Sequence, residues 1–317
     1  MKIDNALSRR DFLKISGGVG LMTGLEALGI SSIALAPEAA TPEKSPFTEQ
    51  PDFEVDFSKM ENGPLPKGLF RIQSEIDYDW NPIWNNEKQM YTDNLNNVRV
   101  EDGKLILEAH KETANGQEYT SGKIDTKGIW DFEYGKVEIV AKFPAGVGTF
   151  PALWFLPADQ VNLNGGTITT DQNDPNYWQQ DGEIDMAEMI GVNPETLYTT
   201  MHTYDTLTSG SEANATSISA PDLSSEFHTY GIKKTPEKIV FTLDGDAYYT
   251  KEKISDDPAE WPFDQDWYLL INFAVGGYWS DGVVQAKGLD FPDGVDPDTV
   301  DGATLEVKSI MHYPLAG

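Results

Sequence analysis

No cysteine occurs in the 317 residues of this chain, so disulfides, thiolate metal sites and a cysteine nucleophile are excluded. Histidine is scarce as well. The four present, His110, His202, His228 and His312, lie far apart and none forms an H-E-x-x-H pair, which argues against a zinc enzyme. Positive charge is short: 23 Lys+Arg stand against 52 Asp+Glu, a formal net charge of -29, with arginine only at Arg9, Arg10, Arg71 and Arg99. A field of that sign repels nucleic acid, anionic membranes and sulfated or carboxylated polymers, and favours neutral or cationic partners. Adaptation to a salty or acidic medium accounts for the same charge equally well.

From about Asp52 onward no stretch sustains helical periodicity for three turns. Strand signals recur instead. "GKLILEAHKE" sets Leu105, Leu107 and Ala109 against Lys104, Glu108 and His110, and "GKVEIVAKFP" sets Val137, Ile139, Ala141 and Phe143 against Glu138 and Lys142. "EKIVFTLDGDAYY" reads as a hairpin about Asp244-Gly245. "WYLLINFAVGG" is continuously apolar, as a strand buried on both faces must be. Many short strands separated by Gly, Asn and Asp turns predict an all-β sandwich or barrel in a single domain, 52–317.

The N-terminus reads as an address. Residues 1–40 carry twin arginines, Arg9 and Arg10, followed by Phe12, Leu13 and Lys14 and a weakly apolar, Gly-rich stretch to about Ala36. This resembles the twin-arginine export signal, which implies export of the folded protein to the periplasm or the medium and no membrane attachment after removal. Residues 41–51, "TPEKSPFTEQP", read as a Pro-rich linker.

The stretch "DGEIDMAEMIG" (181–191) crowds Glu183, Asp185 and Glu188 into an otherwise buried-type run. In a regular strand Glu183 and Asp185 share a face and Glu188 points the other way. One extra residue near Met186 and Ala187, a β-bulge, would swing Glu188 back. Counting that bulge as one position puts Glu183 and Glu188 about 13 Å apart along the strand at roughly 3.3 Å per residue. Two inward-leaning glutamates then hold their carboxyls at roughly 5 Å, the separation of retaining glycosidases. Crowded carboxylates cannot all ionise freely, which keeps one able to donate a proton and another able to attack carbon. A solvated strand or an acidic metal cluster remains the alternative, although calcium prefers a loop rich in Gly and Asn.

Seven successive segments widen the view: "WNNEKQMYTDNLNNVRVEDGKLIL", "YTSGKIDTKG", "YGKVEIVAKFPAG", "PALWFLP", "GEIDMAEMIG", "FHTYGIKKTPEKIVFTLDG" and "PFDQDWYLLINFAVGGYW". In this order they resemble glycoside hydrolase family 16, and within it the laminarinase-like endo-β-1,3-glucanases. The resemblance implies a β-jelly-roll of two curved antiparallel sheets, a concanavalin-like sandwich with a concave substrate cleft. It implies Glu183 as nucleophile, Glu188 as general acid/base and Asp185 as the residue that orients and tunes the nucleophile. It also implies Trp154, Trp178 and Trp279 as cleft tryptophans and Asn97 and His202 as polar cleft residues. Apolar pyranoside faces stack on indole, which gives those tryptophans a physical reason. Trp154 in "ALWF" could equally be core, and His202 a satisfied strand histidine.

Family members often carry an Asp at the position of Lys308, where it helps bind a structural calcium. A lysine cannot ligate a cation and repels it, which puts the usual calcium site in doubt, although loop carbonyls or other acids could still bind the ion. No cofactor is expected to be required. The polar loop 158–180 is expected to rim the cleft. The expected partner is a neutral polysaccharide, with the chain acting as a monomer. Two other readings stay open: an agarase or carrageenase relative, which shares E-x-D-x-x-E, and a non-catalytic β-glucan-binding protein on the same scaffold. Lichenases usually have E-x-D-x-E, so the longer spacing here counts against them.

Overall fold

The computed structural model describes residues 45–74, 85–159, 181–209 and 214–316. The export signal 1–40, Trp178 and nearly all of the loop 158–180 lie outside the described residues. Strands follow in chain order: β1 (Phe53–Asp56), β2 (Arg71–Ile72), β3 (Gln89–Tyr91), β4 (Val98–Glu101), β5 (Lys104–Glu108), β6 (Tyr119–Ser121), β7 (Lys123–Asp125) and β8 (Gly135–Lys142). Then come β9 (Thr149–Pro157), β10 (Glu183–Glu188), β11 (Thr196–His202), β12 (Ala215–Ser219), β13 (His228–Lys234), β14 (Lys238–Leu243), β15 (Asp246–Glu252), β16 (Trp267–Val275) and β17 (Thr304–Tyr313).

Two antiparallel sheets form the jelly-roll. The outer sheet runs β15-β14-β13-β8-β17-β5-β4, with β1 added on β17. The second runs β12-β11-β10-β9-β16-β7-β2 and carries the carboxylates. The alternation read in β8 is literal: every second residue is buried, and Val137, Ile139 and Ala141 enter the core. Opposite them stand Leu153, Phe155, Ile184, Met186, Ala187 and Phe273 from the second sheet. Each such large side chain removed from water contributes about 1.5–3 kcal/mol, so the two inner faces hold the sandwich closed. β16 is buried at all nine positions because it lies inside the seven-stranded sheet, between β9 and β7 and paired on both edges. The Asp244-Gly245 turn has φ of 53° and 88°, the left-handed pair of a two-residue hairpin.

One boundary is corrected. Residues 46–48 do not behave as a linker: Phe47 is buried and bridges Leu315, the Thr48 amide donates to the Pro314 carbonyl, and the Ala316 amide donates to the Pro46 carbonyl. The described part of 41–51 is therefore laid against the C-terminus as part of the domain. Prolines 46 and 51 suit this extended edge, where a missing amide donor costs nothing.

Candidate active site

β10 is preceded by Gly182, whose φ of 84° and packing against the Pro262 and Trp267 side chains exclude any Cβ. On its β11 side the register runs Glu183↔His202, Ile184↔Met201 and Asp185↔Thr200, then jumps to Glu188↔Tyr198. On its β9 side it runs Asp185↔Trp154, then Ala187↔Leu153 and Glu188↔Ala152. Both shifts mark a bulge at Met186 and Ala187, and both of those residues sink into the core. His202, Thr200 and Tyr198 alternate along one face of β11, so their partners Glu183, Asp185 and Glu188 share that face. The bulge expected from the spacing is present, and it joins the three carboxylates.

Asp185 is buried, and His202 Nε2 lies 3.0 Å from its Oδ2 and 3.7 Å from Glu183 Oε1. Both neighbours are acceptors, so Nε2 carries a proton and donates it chiefly to Asp185. Ligand atoms of Glu183, Asp185 and His202 lie within 4.8 Å of one another. Just before the strand, burial pushes the Asp181 carboxyl up to about 6.

Trp154 stands across from Asp185 on the open face and is half-buried rather than core. Its indole N–H donates to Asn272 Oδ1 at 2.7 Å, and Asn272 Nδ2 donates to the Tyr91 hydroxyl at 2.9 Å. An indole can only donate, which fixes the amide orientation of Asn272. The Lys123 ammonium lies 4.8 Å from the Trp154 ring centre. Desolvation pushes that ammonium below the usual lysine range, against the pull of Glu87, Asp125 and Glu183. The row Asn272↔Ala152↔Glu188↔Tyr198 crosses the face beside the acid, with Ala152 leaving room next to Glu188.

Trp279 packs edge-on against Tyr198 at 4.9 Å and Phe150 at 5.5 Å in a small satellite cluster, at the Glu188 end of the face. The structure thus places it against Tyr198, the β11 partner of Glu188. Asn97 is not a cleft residue, and that expectation is corrected. Its side chain is wholly buried; Oδ1 accepts from Thr92 Oγ1, and the two amide hydrogens go to the Glu108 carbonyl and Thr120 Oγ1. Every bond the amide can readily make is used inside the fold, leaving none for a sugar. On the outer sheet, Lys308 lies over the Phe227 ring at 3.9 Å, and the neighbouring carboxylate Glu306 is held by Lys104 and Lys142. Here β17, β5 and β8 bring ammonium groups together where calcium needs oxygens, so the residues there do not fit the ion.

Sequence reasoning missed Lys123, Tyr91 and Asn272. Asn272 had a signal: it is the one amide side chain in a nine-residue strand of otherwise apolar and aromatic residues, and a buried amide must be paired.

An open sheet face holding three carboxylates, a histidine and an oriented indole is the apparatus of glycoside hydrolysis. The sequence profile of glycosyl hydrolases family 16 matches residues 77–287, and the chain belongs to that family. It is 38% identical over 237 residues to a β-glucanase of Rhodothermus marinus, covering 72% of this chain and 74% of that protein. The laminarinase structure from Rhodothermus marinus aligns with a TM-score of 0.71 at 32% identity, covering 86% of this chain and 99% of that one. A mutant of a non-specific endo-β-1,3(4)-glucanase of the same family, with 1,3-β-D-cellobiosyl-glucose at its active site, aligns with a TM-score of 0.67 at 30% identity, over 83% and 94% of the two chains. The chain is accordingly a glycoside hydrolase, and its relatives support β-glucan as what it hydrolyses.

Proposed function

We propose that the protein is a retaining endo-glycosidase that cleaves internal β-1,3-glucosidic bonds of laminarin-type β-glucan. The observation that carries this reading is the bulge, which returns Glu188 to the face of Glu183 at an effective spacing of four residues. At that spacing the carboxyl separation expected for inward-leaning glutamates, about 5 Å, leaves no room for the water of an inverting enzyme, so one of them attacks carbon directly. Glu183 forms the covalent glycosyl-enzyme at the anomeric carbon while Glu188 protonates the departing oxygen. Glu188 then takes the proton from the incoming water, and Asp185, held by His202, keeps Glu183 oriented between the two steps. The assignment of the two glutamates follows the resemblance to the family. Trp154 supplies the stacking surface, and the acidic field favours an uncharged glucan over a sulfated one.

Residues 1–40 are read as a twin-arginine export signal, so the folded enzyme, a monomer, works outside the cytoplasm on a neutral polymer. The test is turnover of laminarin, lichenan, agarose and carrageenan with products sized, together with proton NMR of the new reducing end. Laminarin should be cut to intermediate oligosaccharides with the β-anomer first, and Glu183→Gln should abolish turnover while the protein still folds. An α-anomer appearing first, or wild-type rate in the variant, would overturn the reading.

A further inference from the structure

Behind the bulge, the side of β10 turned away from the cleft meets a polar pair in an otherwise apolar core. On β11, Thr200 pairs with Asp185 and Tyr198 with Glu188, which leaves Thr199 alone opposite the two bulged residues. Thr199 is wholly buried, and its hydroxyl donates to the Met186 carbonyl at 2.7 Å. That uses its single proton, so the Tyr248 hydroxyl, 2.8 Å from Thr199 Oγ1, is the donor to it, while also lying 3.4 Å from the Met186 carbonyl, a longer second contact. Tyr248 comes from the opposite sheet. It reaches the spot because β15 has a bulge of its own: Phe241 pairs with Tyr249 and Thr242 with Ala247, so Tyr248 is the extra residue. In a regular strand Tyr248 and Tyr249 would face opposite sides; here both pack against the core. Burial pushes the phenol up to about 12, so it remains a proton donor throughout the neutral range.

We propose that Thr199 and Tyr248 are positioning residues for the general acid/base: the relay from Tyr248 through Thr199 to the Met186 carbonyl holds the bulge that aims Glu188 into the cleft. This rests on the reading of Glu188 as acid/base. Without the relay, the bulge keeps its two apolar anchors, Met186 and Ala187, but loses the hydrogen bond that fixes the carbonyl between them. Nothing in the relay touches substrate, so its effect reaches the reaction only through where Glu188 points.

The test is Thr199→Val, which keeps the shape and removes the hydroxyl, with Tyr248→Phe as the milder variant should the first fail to fold. The readout is kcat/KM on two aryl β-laminaribiosides, one with 2,4-dinitrophenol and one with phenol as leaving group. Dinitrophenolate departs without a proton, whereas phenol needs the acid. A displacement of Glu188 near 1 Å should cost about 10- to 100-fold on the phenyl substrate and less than about 3-fold on the dinitrophenyl one. Equal losses on both substrates would mean only a destabilised fold or a smaller active fraction, and no loss would mean the relay is idle; either result overturns the proposal. Glu188→Ala serves as the reference for the reading beneath it. If that variant shows no leaving-group dependence while wild type turns over, the acid/base assignment fails independently of Thr199.

Discussion

Asn97→Ala separates a structural amide from a substrate contact. The side chain ties the end of β5 to the residue after β3 and to β6 through bonds of 2.5, 2.9 and 3.0 Å. At roughly 1 kcal/mol each, and with the Glu108 carbonyl deprived of one donor in a dry site, the loss is about 3 kcal/mol of stability. A domain of this size melts about 2–4 °C lower per kcal/mol, which predicts a fall of about 6–12 °C. Circular dichroism melts measure the first quantity, and initial rates on laminarin at 20 °C, well below the transition, measure the second. KM should stay within about 2-fold of wild type, because the amide has no donor to offer a sugar. An unshifted melt accompanied by a large rise in KM would refute the reasoning and return Asn97 to the cleft.

Asp185→Asn should lower kcat by 10-fold or more while leaving the melting temperature nearly unchanged, since the exchange keeps shape and removes the charge that His202 Nε2 meets at 3.0 Å. A fall no larger than that caused by an exposed Asp→Asn elsewhere would make Asp185 merely structural. Lys234 is buried on β13, its ammonium held by the Glu133 carbonyl and set 4.2 Å over the Tyr134 ring, and desolvation lowers its pKa to about 7. Below pH 7 both folded and unfolded chains hold this proton; between about 7 and the ordinary lysine value only the unfolded chain does, so this group makes stability rise with pH over that window. Lys234→Met removes the dependence. The stability difference between wild type and variant, from urea unfolding at pH 7, 8 and 9, should move in favour of wild type by about 1.4 kcal/mol per pH unit, and a difference independent of pH would contradict the lowered value.

Much of this protein was legible in the chain alone. Alternation in "GKVEIVAKFP", the continuous run of "WYLLINFAVGG" and the Asp244-Gly245 turn each reflect local geometry, since side-chain direction along a strand has a period of two whatever it pairs with. The bulge in β10 was legible for the same reason: three carboxylates at this spacing can share one face only if one residue is added between them. What the chain could not reveal depends on partners far away in sequence. Asn97 looks like a polar loop residue until β5 and β6 close around it. Trp154 reads equally well as core until Asn272, 118 positions later, accepts its indole proton on the open face. Tyr248 is an ordinary hairpin tyrosine until the two sheets stack and bring its hydroxyl to Thr199. A polar group's role is set by which donor or acceptor remains for it once water has been excluded, and that is decided by the packing of one sheet on the other.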